Sequence, residues 1–389
     1  MTLAMGLRIG IVAAEPSADL LAAGLMRALR EQLPGVRFEG VAGPLMQAEG
    51  IDQWAPMDSL SVMGLFEVLR HLPRLLRLRS RLLARWRDTP PALLIGVDAP
   101  DFNLTLEQRL RDSGVPTVHY VSPTVWAWRS GRVKKIRSAV DLLLTIFPFE
   151  TDFLAARGVT ARYVGHPLAA EMPLAPDRDA ARRALKIDPA APVLAVLPGS
   201  RRSEVSRLTR PFVQTAAALH AEQPRLQIVV PLINEATRAL FEADWRRYAP
   251  QLPVSMSLGT SRAAMAAADV LLLASGTATL EGLLSKRPMV VGYKVNPATY
   301  AVVRWLRLLK VEHVAIANLL AGERLAPELI QDACEPERLL PPLRDFLADA
   351  GLRNRIAARY TEIHRTLRID TNQEAAQAVV ALLRERGLV

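Results

Sequence analysis

The sequence lacks the features of secreted and membrane-spanning proteins. Cys334 is the only cysteine among 389 residues, so the chain cannot form the internal disulfides that are typical of secreted proteins. No apolar run approaches the ~20 residues that a membrane-spanning helix needs, and no apolar signal region opens the chain. We therefore expect a cytoplasmic protein, which would contact a membrane only from its surface.

The standard motifs of nucleotide-phosphate and metal sites are also missing. The sequence contains neither Gly-x-Gly-x-x-Gly nor Gly-x-x-x-x-Gly-Lys-Ser/Thr, and its six histidines show no metal-ligand spacing. An Asp-x-Asp pattern, common at metal sites, occurs at 177–179, but it lies in a proline-rich linker and is expected to be solvated surface. We expect neither a catalytic metal nor another cofactor.

Positive charge is present in excess. Basic residues outnumber acidic ones by 49 to 39, which gives a net charge of +10 and favours an acidic partner: nucleic acid, an anionic membrane surface or a phosphorylated substrate. The basic residues are interleaved with leucine rather than clustered with exposed aromatics, so we expect no nucleic acid.

Segment 62–86 concentrates this pattern of arginine and leucine. A basic amphipathic segment of this kind can lie in the interface of an anionic membrane, and 300–310 is a second such patch. The alternative is a helix packed on a sheet with its arginines in water. Pro73 is expected to break the helix.

Short apolar runs alternate with helical patterns along the chain and predict an α/β fold. Runs without polar alternation are typical of strands buried on both faces of a parallel sheet. The predicted strands are 7–14, 38–43, 92–98, 117–122 and 141–147, then 192–200, 226–233, 253–259, 269–276 and 288–294. Because the pattern restarts after the linker, we predict two Rossmann-like, doubly wound domains facing across a cleft, 1–170 and 171–351. The helical tail, 352–389, would pack on the first domain or on a partner subunit.

Polar side chains follow two predicted strands of the first domain. In open parallel sheets, ligands bind beyond the carboxyl ends of the strands. Asp98 ends one strand and is the favoured general base towards a hydroxyl, and Glu15 is its rival. Asp101 and His119 are also candidates for the acceptor side. The favoured interpretation of Asp101 is an Asx turn or cap before a helix at 104–112, and that of His119 is a core histidine. Two further polar residues, Ser17 and Asp19, reach the same edge.

The second domain carries two loops that suit a phosphate. Pro-Gly-Ser-Arg at 198–201 places backbone N–H groups and Arg201 at the start of a helix, where an anion is favoured. In Ser-Gly-Thr-Ala-Thr-Leu-Glu at 275–281, Glu281 could accept hydroxyl donors of a ribose. Each loop alone could be a glycine turn with a helix cap. Together they favour a nucleotide diphosphate, with the donor-side residues Gly199, Ser200, Arg201, Ser275, Gly276, Thr277 and Glu281.

Seven segments, in this order along nearly the whole chain, resemble the lipid-A-disaccharide synthases. They are VDAPDFN, HYVSPTVWAWR, LPGSR, SGTATLE, PMVVGYK, ANLLAG (317–322) and QEAAQAV (373–379). The resemblance implies a metal-independent, inverting glycosyltransferase of the GT-B type. It would join UDP-2,3-diacylglucosamine to 2,3-diacylglucosamine 1-phosphate at the cytoplasmic face of the inner membrane, as a homodimer that exchanges C-terminal helices.

The resemblance also assigns residues. Asp98 would be the base on the acceptor's 6-hydroxyl, and Asn318, Asn372 and Gln373 would complete the UDP pocket, the last two from the partner subunit or the same chain. Acyl contact would come from the segment 62–86, through Phe66, Val68, Leu69, Leu72, Leu75 and Leu76. A nucleotide-sugar epimerase or a transferase acting on peptidoglycan precursors is the nearest rival, although an epimerase would not need this apolar segment.

One departure from the family pattern lies at the end of the first strand. The family reads Gly-Glu-Ala-Ser-Gly-Asp, whereas this chain reads Ala-Glu-Pro-Ser-Ala-Asp at 14–19. If either glycine required a positive φ, Ala14 or Ala18 would be strained. The turn is nevertheless expected to form, because Glu15, Ser17 and Asp19 are kept.

Overall fold

The computed structural model describes residues 6–60, 65–126, 131–296, 300 and 313–389, with the backbone alone at 65–71. They form two compact units. Unit 1 comprises Met1–Ala170 and Arg368–Val389, and unit 2 comprises Glu171–Leu367. The second basic patch predicted from the sequence, 300–310, lies almost entirely outside the described residues.

Unit 1 is built on a seven-stranded parallel sheet in the order β3-β2-β1-β4-β5-β6-β7. Its strands are β1 Arg8–Ala13, β2 Arg37–Ala42, β3 Asp52–Pro56, β4 Leu93–Val97, β5 Thr117–Tyr120, β6 Leu142–Thr145 and β7 Ala161–Tyr163. Its helices are α1 Pro16–Gln32, α2 Pro44–Ala48, α3 Leu65–Asp88, α4 Pro100–Arg111, α5 Arg132–Ala139, α6 Pro148–Ala155 and α7 Pro167–Glu171; the C-terminal helix of the chain, Thr371–Glu385, also belongs here.

Helices cover both faces of this sheet, which makes it doubly wound as predicted. On one face α1 and the C-terminal helix share a core with the strands. On the other face α3 and α4 pack on β1, β2 and β4, and α5 and α6 pack beside β6. The middle strand, β4, is fully apolar and buried because both of its faces are covered in this way.

Unit 2 repeats the architecture with a six-stranded parallel sheet in the order β10-β9-β8-β11-β12-β13. Its strands are β8 Val193–Leu197, β9 Gln227–Leu232, β10 Val254–Leu258, β11 Val270–Ala274, β12 Met289–Tyr293 and β13 Glu328–Ile330. Its helices are α8 Arg178–Ala184, α9 Arg202–Glu222, α10 Glu235–Tyr248, α11 Ser261–Ala267, α12 Thr277–Leu284, α13 Ile316–Ala321, α14 Pro336–Ala348 and α15 Ala350–Leu367; α16 is Thr371–Glu385 of unit 1.

Helix α3 runs without interruption through Pro73, so the predicted break is wrong. Proline removes one N–H from the helix, but Pro73 is exposed, and water can satisfy the carbonyl left without a donor. The C-terminal half of the helix packs inward: Leu78 and Leu82 are buried, and the indole of fully buried Trp86 donates to Glu39 Oε1 at 3.0 Å.

The helical tail divides between the units rather than packing on the first domain as a whole. Helix α15 belongs to unit 2, and α16 alone belongs to unit 1. The contact of α16 with α1 requires Gly24, because a Cβ there would lie 2.3 Å from Asn372 Oδ1. The Asp-x-Asp pattern of the linker has a structural role. Its first residue, Asp177, accepts the N–H of Ala180 at 2.8 Å and caps α8.

Candidate active site

Three neighbouring strands of unit 1, β1, β4 and β5, bring the two candidate bases, Glu15 and Asp98, to one edge of the sheet. Ala13 of β1 pairs with Val97 of β4, and Val97 pairs with Tyr120 of β5. The residues that follow, Ala14, Asp98 and Val121, therefore leave the sheet side by side. Strand order reverses between β1 and β4. Such a reversal is called the switch point of the sheet, and open α/β sheets bind their ligands there.

Asp98 lies in a turn that its neighbours hold in place. Both Asp98 and Ala99 adopt positive φ, 54° and 43°, and Val121 on the next strand end has φ 80°. Non-glycine residues in this region cost about 1–3 kcal/mol each and persist where surrounding contacts enforce them, often at functional sites. The fully buried Asn103 provides such contacts, since its Nδ2 donates to the carbonyl of Asp98 at 2.8 Å and lies 3.4 Å from that of Val12.

A pocket of about 310 Å³ opens beside this turn. It is lined by Asp98 and Pro100, by the loop 121–125 that follows β5, and by Arg132 at the start of α5. This volume is at the low end of the range for small-molecule sites, ~300–1,000 Å³. The pocket therefore suits a single sugar headgroup better than a long acyl chain.

The turn after β1 forms without strain despite its two alanines. Neither Ala14 nor Ala18 has a positive φ, and Pro16 takes the first position of α1, where a missing N–H is harmless. Glu15 and Ser17 are both exposed at this helix start. The residues that differ from the family pattern therefore preserve the predicted placement of Glu15.

Asp19 does not belong to the exposed acceptor side. Its carboxylate is buried and accepts the N–H groups of Gly43, Leu45 and Met46 at 2.9–3.1 Å. These amides form the N-terminus of α2, so Asp19 ties α1 to α2. A carboxylate with three amide donors is a helix cap, and the expectation that it faces the acceptor is wrong.

Asp101 and His119 both have structural partners, and a structural role was the favoured expectation for each. Helix α4 starts at Pro100, so Asp101 lies in its first turn rather than in a cap before 104, and it binds Arg132 Nη2 at 2.6 Å. His119 is fully buried, and its Nδ1 lies 2.7 Å from Glu107 Oε1. His119 therefore cannot contact an acceptor, and it is the core histidine that was expected.

The Glu107–His119 pair lies in the layer beneath the strand ends. Burial raises the pKa of Glu107, and His119 opposes that rise. Within the described part of the chain, Glu107 Oε2 and His119 Nε2 have no hydrogen-bond partner. A Cβ on Gly96 would lie 2.1 Å from Glu107 Oε1, so the glycine before Val97 makes room for the pair.

Sequence reasoning missed a second buried carboxyl near the pocket. Glu150, in the first turn of α6, accepts the indole N–H of Trp126 at 3.1 Å and the amide of Phe147 at 3.2 Å. Burial raises its pKa to about 8. His166, tilted against Phe147, has its pKa lowered to about 4 by burial. The one available signal was Phe-Pro-Phe-Glu at 147–150, at the end of the strand predicted over 141–147.

The switch point of unit 2 lies between β8 and β11, where Leu197 pairs with Leu273. Gly199 follows with φ 118°. The amides of Ser200 and Arg201 point to Glu204 Oε2 at 3.0 and 3.2 Å, and Arg201 pairs with Glu204 Oε1 at 3.1 Å. The predicted glycine turn is therefore present, and two of its amides donate to a carboxylate.

The loop after β11 leaves its first residues accessible. Gly276 and Thr277 are exposed at the N-terminus of α12, whereas Ser275 donates to the carbonyl of Val314 at 3.1 Å. Glu281 is half-buried, and burial raises its pKa while Arg262, 4.0 Å away, opposes the rise. Gly276 and Thr277 are thus the residues of this loop best placed to meet an anion.

Three predicted donor-side amides are engaged elsewhere. Asn318 is fully buried and exchanges hydrogen bonds with the backbone of Ala326, at 2.7 and 2.8 Å. Asn372 packs on Gly24, and Gln373 binds Glu31 and Gln32 at 2.6 and 3.1 Å. Because Asn372 and Gln373 lie in unit 1 and bind α1, their contacts within the chain are structural.

The predicted acyl-contact residues are described in part. The side chains of Phe66, Val68 and Leu69 lie outside the described residues. Leu72 and Leu76 are each 41% exposed, and Leu75 packs against the core of α3 and α4. Among the described helices, none is both long enough and apolar enough to pass through a bilayer, and the same residues contain no cluster of His, Cys, Asp or Glu suited to a metal ion.

Two Rossmann-type units, each with a polar site at its switch point, define the class: the chain has the architecture of the GT-B glycosyltransferases. The calicheamicin glycosyltransferase superposes with a TM-score of 0.57 at 18% identity, over 98% of this chain and 99% of that chain. UDP-GlcNAc 2-epimerase from Neisseria meningitidis, bound to UDP-GlcNAc, gives 0.60 at 11% identity, over 98% of this chain and 100% of that chain. These similarities establish the fold.

The family model of lipid-A-disaccharide synthetase matches residues 9–382. The chain belongs to this family and is therefore a glycosyltransferase. The lipid-A-disaccharide synthase of Erwinia tasmaniensis is 50% identical over 380 residues, 97% of this chain and 99% of that protein. That of Escherichia coli O8 is 48% identical over 384 residues, 98% of this chain and 100% of that protein.

Proposed function

We propose that the chain transfers 2,3-diacylglucosamine from UDP-2,3-diacylglucosamine to the 6-hydroxyl of 2,3-diacylglucosamine 1-phosphate, which gives lipid A disaccharide 1-phosphate and UDP. The observation that carries this proposal is 50% identity to a lipid-A-disaccharide synthase across 97% of the chain. The rival epimerase reaction has the support of a fold similarity at 11% identity, which is no guide to the reaction.

Asp98 is the proposed general base. Its carboxylate takes the proton of the acceptor's 6-hydroxyl while that oxygen attacks the anomeric carbon of the donor from the face opposite UDP. The new C–O bond forms as the bond to UDP breaks, so an α-linked donor gives a β linkage. Support comes from the position of Asp98 in the pocket beside the β4 end and from the hydrogen bond of Asn103 to its carbonyl. Glu15, exposed at the adjacent strand end, is the alternative base.

Unit 2 is the proposed donor side. As the bond to UDP breaks, negative charge grows on the diphosphate, and Arg201 together with the N-termini of α9 and α12 would stabilise it. Glu204 now holds the amides of Ser200 and Arg201, so the diphosphate must displace that carboxylate or bind beside it. Exposed Thr277 would add a hydroxyl, and Glu281 would accept from the ribose. No divalent metal takes part in this scheme.

The first experiment is an assay of the wild-type protein with both diacylated substrates in mixed micelles containing excess EDTA. Mass spectrometry should detect the disaccharide 1-phosphate, together with UDP in equal amount. Product that forms only when divalent metal is restored would contradict the metal-free scheme. No product under either condition would contradict the proposed reaction and redirect attention to other nucleotide-sugar enzymes.

Membrane contact is proposed for α3, since both substrates carry acyl chains that must come from a bilayer. Exposed Leu72 and Leu76 lie on this helix among arginines, a pattern suited to an anionic interface. We place the protein at the cytoplasmic face of the inner membrane. More protein should sediment with anionic than with neutral vesicles, and the difference should shrink as salt rises. Equal sedimentation with both would contradict the proposal.

The proposed assembly is a homodimer that exchanges C-terminal helices. In it, α16 of one copy would make the contacts with Gly24, Glu31 and Gln32 on α1 of the other copy that are made here within one chain. The solution mass, measured by light scattering, separates this dimer from a 42.8 kDa monomer.

A further inference from the structure

Arg132 lines the pocket beside Asp98 and has no role in the reaction proposed above. Of the described residues that line the pocket, Arg132 alone carries a positive charge. Its side chain is 28% exposed, so most of the side chain is removed from water. A cation at this depth, in the same small pocket as the proposed base, is suited to an anionic group of the ligand.

Asp101 sets the orientation of this guanidinium. Arg132 Nη2 donates to Asp101 Oδ1 at 2.6 Å, whereas Asp101 itself is 81% exposed. Asp101 stands in the first turn of α4, directly after the Asp98 turn, and Arg132 stands in the first turn of α5. One carboxylate engages one end of the guanidinium fork, which leaves further N–H donors for a second, bidentate anion.

The phosphate of the proposed acceptor lies within reach of the Arg132 guanidinium when the 6-hydroxyl is at Asp98. In a hexose 1-phosphate, the carbon that bears the 6-hydroxymethyl group and the carbon that bears the phosphate flank the ring oxygen. When the 6-hydroxyl is at Asp98, the phosphate therefore lies within one sugar ring of it. A pocket of about 310 Å³ has room for such a headgroup, and exposed Thr124 adds a hydroxyl to its lining.

We propose that Arg132, oriented by Asp101, binds the anomeric phosphate of the acceptor and so selects a phosphorylated over a free sugar. This inference rests on the proposed function, because it takes the acceptor from that reaction. The ligand chemistry is a phosphate monoester of a hexosamine. A phospholipid headgroup offers a phosphate as well, so the experiment must separate the two sources.

The test compares two acceptors in nonionic micelles without phospholipid: 2,3-diacylglucosamine 1-phosphate and the same sugar without phosphate. The wild type should prefer the phosphorylated acceptor in kcat/KM, and Arg132→Met should reduce that preference by about 10- to 100-fold, the range expected for charge-assisted hydrogen bonds. The KM for the UDP-sugar should not change. Arg132→Lys should restore part of the preference, and Asp101→Asn should lower it by a smaller factor.

Lys134→Met is the matched control, since Lys134 is an exposed cation on the same helix and is not among the pocket residues. Equal losses with both acceptors in Arg132→Met would show a structural role and overturn the inference. So would an effect that appears only after anionic phospholipid is added, because the phosphate bound would then be a lipid headgroup. If the wild type forms no disaccharide at all, the proposed function fails; if it does and the preference survives in Arg132→Met, this inference alone fails.

Discussion

Asp98→Asn is expected to lower kcat by about 10²- to 10⁴-fold, the usual contribution of a general base. Asparagine has the shape of aspartate and tolerates positive φ, so the turn at φ 54° should be kept. The hydrogen bond that Asn103 donates to the carbonyl of residue 98 is a backbone contact and should persist. The loss would therefore report the missing carboxylate. Steady-state kinetics in mixed micelles, with titration of UDP binding, would measure it.

Glu15→Gln is the matched control for this variant, because Glu15 lies at the adjacent strand end and is exposed. Undiminished UDP binding in both variants would show that unit 2 is intact. Turnover that persists in Asp98→Asn and disappears in Glu15→Gln would contradict the assignment and move the base to Glu15.

The second large effect is expected at Arg201. Arg201→Ala removes a guanidinium that would stabilise charge on the departing diphosphate, and we expect kcat to fall by about 10²- to 10³-fold, as on removal of other preorganised donors to developing charge. The side chain is 79% exposed and pairs with Glu204 alone among the described residues, so its loss should alter folding little. Single-turnover kinetics in EDTA and a thermal melt would measure the two quantities.

Arg210→Ala offers a comparison for Arg201, since Arg210 is an exposed arginine farther along the same helix α9. It should keep near-wild-type turnover. If Arg201→Ala raised the KM of the UDP-sugar and left kcat unchanged, the guanidinium would bind substrate and transition state equally. That result would contradict the leaving-group role.

Strand burial decided how much of the fold could be predicted. Of the ten strands that were predicted, nine are largely buried, because helices cover both faces of the sheets. The tenth, β10, is an edge strand in which no residue is fully buried. The three missed strands, β3, β7 and β13, each lie at an edge of a sheet. Their sequences, DQWAP, ARY and ELI, are short and no residue in them is fully buried. An edge strand has one neighbour, so backbone pairing can recruit residues without an apolar pattern.

The position of the candidate site was predictable, whereas the use of its side chains was not. A carboxylate directly after a buried strand, Asp98, marks the switch point in the sequence. Asp19 and Asn318 carry the same kind of polar atoms, yet the structure employs them to satisfy buried amides and carbonyls. These partners lie 24 and 8 residues away. Such pairing depends on how helices return to the sheet, which a local pattern does not encode.

The role of Asn103 at the candidate site also could not be predicted from the local sequence. From the sequence it is one polar residue in an amphipathic helix, four residues after Ala99. In the structure it is fully buried and reaches the carbonyls at the ends of two strands. Its importance follows from the crossing of α4 over β1 and β4, which exists only once the sheet has formed.

Unit 1 cannot be completed on the ribosome until its final helix has been made. The helix α16 supplies buried side chains such as Ala375, Val379 and Leu383 to the core around α1, and all of unit 2 is translated in between. At ~5–20 residues per second, the part of α1 that packs against α16 stays uncovered for tens of seconds after it leaves the tunnel. The contiguous unit 2 can therefore finish folding before unit 1 is complete.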